Sequence, residues 1–287
     1  MESSWQNIFF TNNDSAYESA FCLHNKGINV EAIIDIRESS NSKIVKAVEE
    51  AGIKIYWSHT IVDTSGYKRL NSVSVMKLSN DGLSITGNKT NISCDCLGVA
   101  GGWTPAVHLF TQSGGKLKFD ENDKIFLPNK YPSEQLSVGS CNGDFKLKEI
   151  INNLSINLKQ FLKVNETDFD NINVESEEES SKRNIWLLPS EKPFGKTKPF
   201  VDYQNDATAK DIKLALREGF RSIEHVKRYT TTGMGTDQGK LGNMHALGII
   251  ADTAGVKMAE LGTTTFRPPY TPLTFGTIVG RNVGEYF

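Results

Sequence analysis

Cationic and hydroxyl side chains concentrate, with glycines, in one stretch of the second half, HVKRYTTTGMGTDQGK at 225–240. Lys227, Arg228 and Lys240 stand there among the hydroxyls of Thr231 and Thr232 and several glycines. Such a composition suits a phosphate or another anion, because cations and freely oriented backbone N–H groups converge on negative charge. The same cations at a helix end would also complement its dipole with no ligand present, and the residues alone leave both readings open. A second candidate is Gly139-Ser140-Cys141-Asn142-Gly143-Asp144, read as a strand over 135–144 that bends into a helix N-terminus able to meet an anion. An ordinary tight turn would look the same. Cys94 and Cys96 form a C-x-C pair, but no second pair or nearby histidine completes four zinc ligands, so both read as buried strand residues. His59 and His108 have no visible partner and are assigned no role.

The first strand-turn-helix, where a dinucleotide fingerprint belongs, reads Thr11-Asn12-Asn13-Asp14-Ser15-Ala16. None of these is glycine, so the backbone cannot approach a pyrophosphate as G-x-G-x-x-G does. Asp14 adds negative charge where a phosphate would sit. Asp35 has the position of a ribose-binding acid, but without the glycines it reads as structural. This unit is not expected to bind a dinucleotide.

Hydrophobic periodicity sets out the secondary structure that carries these residues. A strand at 8–10, a helix at 15–25, a strand at 30–35, a helix at 42–51 and a strand at 53–57 alternate within about 50 residues, which favours a parallel, doubly wound sheet. Strands at 69–78, 82–85 and 91–93 then read as an antiparallel insertion, with turns at 80–82 and at Gly87-Asn88, before an apolar strand at 94–100. An amphipathic helix spans 146–163. Residues 165–183 hold ESEEESS and few large apolar side chains, and read as an exposed, mobile tether. The second half is helical. Thr208-Ala209-Lys210-Asp211 forms a capping box, Ser222 caps a helix over 223–229, and Asn243 caps one through Ala254. The prolines of TTTFRPPYTPLT at 263–274 impose extended chain. The fold class is therefore α/β, Rossmann-like with inserted antiparallel strands, followed by a small helical domain. The boundaries are a Rossmann-like domain at 1–164, a linker at 165–199, a helical domain at 200–262 and a proline-rich connection at 263–287.

Composition narrows the function. Thirty-two basic and 34 acidic side chains in 287 residues give a net charge of −2, which argues against a broad nucleic-acid footprint. No apolar run approaches the ~18 residues of a membrane span, and four scattered cysteines make no secreted disulfide scaffold, so a cytoplasmic protein is expected.

Two stretches of the second half, FVDYQNDATAKDIKLALREGFRSIEHVKRYTTTGMGTDQGK at 200–240 and GTTTFRPPYTPLTFGTI at 262–278, resemble the alpha subunit of heterotetrameric sarcosine oxidase. FTNNDSAYESAF at 10–21 and CDCLGVAGGWTPAVHLFTQSGGKLKFDE at 94–121 resemble the same family. The resemblance implies the central part of a subunit of a flavoenzyme complex that oxidatively demethylates sarcosine, with FAD and FMN held mainly by a beta-type partner. Implied with it are gamma- and delta-type subunits, one-carbon transfer to tetrahydrofolate, and NAD bound by the alpha subunit. Neither the family's glycine-rich N-terminal half nor its folate domain is visible here. Of the NAD site, only the closing segment carries over, onto Gly139, Ser140, Cys141, Asn142, Gly143, Phe145 and Leu147. We expect Lys227, Arg228, Thr231, Thr232 and Lys240 to face the partner or its FMN phosphate. The helical domain also resembles the [2Fe–2S] domains of opine dehydrogenases, yet its matching stretches at 201–203 and 236–243 hold no cysteine, so no cluster is expected. The alternatives are a subunit of an opine or amino-acid dehydrogenase, or a non-catalytic scaffold that serves assembly. No side chain here could itself oxidise an amine.

Overall fold

The strand Val30–Asp35 is buried at every position but Glu31 because both of its faces are covered, as a central parallel strand requires. In the computed structural model, which describes residues 6–132, 134–169, 172–175, 181–268 and 271–281, it is the second strand of a parallel sheet. The first part of the chain runs β1 (Asn7–Thr11), α1 (Ser15–Asn25), β2 (Val30–Asp35), α2 (Lys43–Glu50) and β3 (Lys54–Trp57). The antiparallel strands β4 (His59–Gly66), β5 (Leu70–Leu78) and β6 (Ile85–Ser93) follow, and then β7 (Cys96–Ala100). The parallel sheet has the order β3-β2-β1-β7, and the antiparallel sheet the order β4-β5-β6.

Three layers result. Tyr17, Ala20, Val30, Ile33, Val45, Val48 and Ile53 fill the space between α1, α2 and the parallel sheet. On the other face Ile8, Ala32, Ile34 and Cys94 pack against Val73, Val75 and Ile92 of the antiparallel strands. Register brings Thr11 level with Asp35 and Ala100, and Asp35 level with Trp57, so these four residues mark the carboxyl edge of the sheet.

The chain continues through α3 (His108–Gln112), the hairpin β8 (Lys116–Asp120) and β9 (Ile125–Lys130), a 3-10 turn at Gly139–Asn142 and α4 (Leu147–Leu162). A second 3-10 turn at Phe194–Lys196 precedes the short pair β10 (Phe200–Asp202) and β11 (Ala207–Thr208). Then come α5 (Ala209–Arg217), α6 (Ile223–Thr230), α7 (Asn243–Ala254), α8 (Met258–Leu261) and α9 (Phe275–Val279). The capping box opens α5 as expected, with the Thr208 N–H donating to Asp211 Oδ2 at 2.8 Å. Among the described residues, no helix is long and apolar enough to cross a membrane.

Contacts divide the chain into two compact units. One comprises the described parts of Met1–Trp103 and Ser176–Thr197, the other those of Thr104–Glu175 and Lys198–Phe287. These limits differ from the boundaries read from composition, since 104–164 joins the helical unit and 181–197 the sheet unit. Within the expected linker, the stretch around 183–192 is held against the sheet unit. The Arg183 guanidinium donates to the carbonyls of Ile36 (2.8 Å), Ser79 (3.1 Å) and Asn80 (2.8 Å), and Lys192 pairs with Asp63 at 2.7 Å. Composition missed this because backbone carbonyls, rather than an apolar face, hold the segment. Most of the acidic run, 176–180, lies outside the described residues.

Four local readings also change. Among the described residues, 135–138 pair with no strand; Val138 is extended but leads straight into the 3-10 turn. Gly87-Asn88 is not a turn, because β6 runs through it past a register shift against β5. Cys94 is buried but Cys96 is exposed, so the C-x-C pair does not share one buried face. Asn243 does not cap α7; Gly242 holds the cap position, and the Asn243 side chain donates instead to Thr264 Oγ1 at 2.8 Å.

Candidate functional site

The last turn of α6 carries Lys227 and Arg228, and Thr231 ends the helix at φ 61°. Buried Asp202, at the end of β10, organises the loop that follows. Its carboxylate accepts the N–H groups of Gln204 (2.9 Å), Asn205 (3.0 Å) and Gly233 (2.6 Å), which ties the β10–β11 turn to the start of the glycine-rich loop. Gln204 then grips the loop's middle, accepting from Asp237 N at 3.1 Å and donating to Thr236 Oγ1 at 2.9 Å. Gly239 (φ +72°) must be glycine, since a Cβ there would stand 2.6 Å from the Asn243 amide carbon.

The proline-rich segment returns over this loop. Glu224 accepts the Thr265 N–H, Gln238 Oε1 accepts the Arg267 N–H at 2.9 Å, and Lys227 Nζ donates to the Thr265 carbonyl at 2.8 Å. Glu224, Lys227, Arg228, Met234, Gln238 and Arg267 line the resulting cleft of about 100 Å³. Three cations thus face one carboxylate, and that carboxylate is already engaged, with Arg228 Nη2 3.7 Å from Glu224 Oε2. Lys227 is only 7% exposed. Burial pulls its ammonium below the ordinary lysine value; Glu224 opposes this, while Arg267 and Arg228 add to it. Among the described residues, the Arg267 guanidinium makes no hydrogen bond or ion pair. Uncompensated cationic donors at a cleft of this size can hold a dianionic group.

The other residues expected here take different places. The Thr232 hydroxyl is buried against that of Thr230 at 2.8 Å, whereas Thr231 is exposed. Lys240 lines a separate apolar hollow of about 30 Å³ with His108, Phe126, Met244, Leu247 and Phe266. There the His108 ring lies 3.7 Å from the Phe266 ring, and its Nε2 is 3.1 Å from the Gln238 carbonyl. Burial holds His108 below the ordinary histidine value, Lys240 and Lys227 add to the effect, and the Gln238 carbonyl and Asp237 oppose it. Sequence reasoning missed Arg267, which joins the cleft through long-range packing, and Gln238, which lies inside the 225–240 motif but carries no charge; His108 lines the separate hollow.

Gly139, Ser140, Cys141 and Asn142 form the 3-10 turn, in which Cys141 Sγ donates to the Val138 carbonyl at 3.1 Å. Gly143 has φ +92°, and a Cβ there would collide with the Leu127 side chain, so packing against the hairpin accounts for this glycine. The N–H groups of Gly143 and Asp144 are bonded within the turn, to the carbonyls of Ser140 and Gly139 at 3.2 Å each. Asp144 also accepts from Asn153 at 2.8 Å. Phe145 and Leu147 flank the start of α4, with Leu147 exposed.

At the sheet's carboxyl edge, Asp14 and Asp35 are joined by Arg37, which the sequence reading did not single out. Arg37, 2% exposed, donates from Nη2 and Nε to Asp35 at 2.7 and 3.1 Å and pairs through Nη1 with Asp14 at 2.7 Å. The Tyr17 hydroxyl donates to Asp35 at 2.8 Å, and the guanidinium carbon lies 5.8 and 5.9 Å from the Tyr17 and Trp57 ring centroids. Burial disfavours the Arg37 charge, but Asp35 and then Asp14 outweigh it and raise its proton affinity. Burial, with the Asp35 charge, raises that of Tyr17. The expected structural role of Asp35 is therefore an ion-pair role, and residues that fill each other's valences in this way do not fit a dinucleotide. The four cysteines are free thiols, and among the described residues no group of three or more His, Cys, Asp or Glu is placed to hold a metal ion.

Residues 196–281 match the sarcosine oxidase A3 domain family. The alpha subunit of sarcosine oxidase from Rhizobium meliloti (strain 1021) is 36% identical over 293 residues, covering 97% of this chain. The chain is homologous to sarcosine oxidase alpha subunits. The counterpart from Corynebacterium sp. (strain P-1) is 34% identical across 98% of the chain. The chain spans only 27% and 29% of the length of these two relatives. A subunit of opine oxidase from Rhizobium meliloti is 33% identical over 73 residues, 25% of this chain and 16% of that protein. Among solved structures, L-proline dehydrogenase from P. horikoshii superposes with a TM-score of 0.59 at 16% identity, over 96% of this chain and 50% of that one, and so shares the fold.

Proposed function

We propose that this chain forms part of the alpha subunit of a sarcosine oxidase-like flavoenzyme complex, which demethylates sarcosine to glycine and passes the one-carbon unit to tetrahydrofolate. The observation that carries the reading is homology to sarcosine oxidase alpha subunits over 97% of the chain. FAD and FMN belong in the complex mainly to a beta-type partner, with gamma- and delta-type subunits completing it, and a bound flavin supplies the hydride acceptor. This chain's share is binding and orientation. Lys227, Arg228 and Arg267, three cations against Glu224 alone, fit a flavin phosphate or an acidic partner surface. Exposed Thr231 stands beside them, and Lys240 and Thr232 support the loop from its inner side. Gly139, Ser140, Cys141, Asn142, Gly143, Phe145 and Leu147 would supply the closing part of a NAD site through the first-turn N–H groups of α4, the remainder lying outside this chain.

The test is co-expression with a beta-type flavoprotein subunit. Flavin per complex and sarcosine-dependent oxygen consumption are measured for the native chain and for Arg228→Glu with Arg267→Glu. Flavin retention should fall by about tenfold, corresponding to about 1.4 kcal/mol of lost binding. Full flavin occupancy in the charge-reversed complex sinks the cleft assignment, and failure of the native chain to assemble with any such partner sinks the subunit reading. A scaffold role without a nucleotide is the second reading, favoured by the filled carboxyl edge of the sheet.

A further inference from the structure

In an open parallel sheet, the crevice at the carboxyl ends of the strands is where a ligand binds. Here that crevice already has an occupant of polypeptide. Arg37 Nη1 donates to the Ser181 carbonyl at 2.8 Å, and the Asn12 side-chain amide donates to the Arg183 carbonyl at 3.0 Å. The Arg183 guanidinium reaches back to Ile36, one residue beyond β2, and to Ser79 and Asn80. The Ser181 hydroxyl donates to the Ser39 carbonyl at 3.4 Å. These contacts come from residue 12, just past β1, from residues 36, 37 and 39, which follow β2, and from the turn after β5. Asn12 lies in the turn where a nucleotide-binding sheet would present its phosphate loop, and Arg37 lies two residues past Asp35, which holds the position of the ribose acid.

We propose that the crevice of this sheet is a docking site for extended polypeptide, with residues 181–184 of the same chain as its built-in occupant, and that it takes up no nicotinamide dinucleotide. The chemistry fits a peptide. The donors available are a guanidinium and a carboxamide aimed at backbone carbonyls. Two carboxylates, Asp14 and Asp35, stand where phosphate and ribose would have to enter. An incoming pyrophosphate would meet Asp14 at the N-terminus of α1 and would have to detach Arg37 from both acids, while the segment's own carbonyls ask nothing of that ion pair. The inference is independent of the cleft on the helical unit and of any flavin partner.

The experiment uses the full chain. NADH is titrated by calorimetry and by fluorescence to millimolar concentration, and hydrogen exchange is followed on the amides of 181–187. We expect no NADH uptake, and slow exchange in the native chain that accelerates about tenfold or more in Arg183→Ala, which loses three bonds to carbonyls. Asn12→Ala, which removes the bonds to the Arg183 carbonyl and the Asn184 side chain and no charge, should accelerate exchange severalfold; it keeps the test open if Arg183→Ala does not fold. NADH binding by the native chain that is weakened by Asp35→Asn would overturn the proposal. So would exchange at 181–187 as fast in the native chain as in the variants.

Discussion

Replacing Arg37 by methionine removes the one cation from a buried cluster while leaving its hydrophobic stem in place. Asp35 is fully buried and would lose three contacts of 2.7–3.1 Å, Asp14 would lose its ion pair, and the Ser181 carbonyl would lose its donor. Asp35 keeps the Tyr17 hydroxyl and the backbone N–H of residue 37, each at 2.8 Å, so it is not left bare. Breaking a buried pair from one side costs about 3–5 kcal/mol. The retained donors place Arg37→Met toward the lower end of that range, at about 3 kcal/mol, to which the lost Ser181 bond adds about 1 kcal/mol. Urea unfolding of the sheet unit, read by exchange of the β1 and β2 amides, should show this difference in midpoint at constant slope. Asp35→Asn combined with Arg37→Met removes both charges and should recover at least about 1 kcal/mol relative to Arg37→Met alone. Arg37→Lys keeps the charge but not the planar fork and should fall in between. A loss below about 1 kcal/mol in Arg37→Met, or a double variant weaker than the single, refutes the reasoning, because the cluster would then not be an ion pair that needs its cation.

Three further expectations concern the helical unit. Lys227→Met removes a charge that burial disfavours and gives up one bond to Thr265, so the chain's stability should change by no more than about 1 kcal/mol while flavin retention in the complex falls; equal losses of both would make Lys227 merely structural. His108, held below 6.5, binds fewer protons folded than unfolded, so its contribution is complete above pH 6.5 and is lost as the pH falls below that value. His108→Gln should therefore unfold with a flatter dependence between around pH 8 and around pH 5.5, measured by urea midpoints. Gly143→Ala, which meets both a positive φ and the Leu127 side chain, should lower the helical unit's stability by about 1–3 kcal/mol in thermal unfolding.

Where one physical signal dominates, the sequence and the structure agree closely. Helix α1 and strand β2 have the limits that periodicity predicts, because an amphipathic stripe and a doubly covered strand both leave clear apolar patterns. Strand β4 went unread because only Thr60 and Val62 alternate inward before the strand leaves the core at Ser65 and Gly66. The β8–β9 hairpin is masked by its lysines and by Pro128. Two of the cleft's three cations were legible, since Lys227 and Arg228 announce themselves by charge. Arg267 was not, because only the return of the proline-rich segment, fixed by the bond from its N–H to Gln238, brings it 29 residues back onto the motif. Arg37 escaped notice for a similar reason, since its partner Asp14 belongs to the first turn and nothing local pairs the two.

The order in which the chain visits its two units constrains how it can be made. The sheet unit takes its last contribution from residues up to Thr197, well after the helical unit has received Thr104–Glu175. On a ribosome adding roughly 5–20 residues per second, the crevice at the sheet's edge stays without its occupant for roughly 4–17 s after β7 has emerged. During that interval Arg37 already has Asp35 and Asp14, but Arg183 does not yet exist. Neither unit corresponds to a continuous stretch of gene, so no single cut in the reading frame releases one intact, and a split protein made from two halves would have to rejoin before either unit was whole.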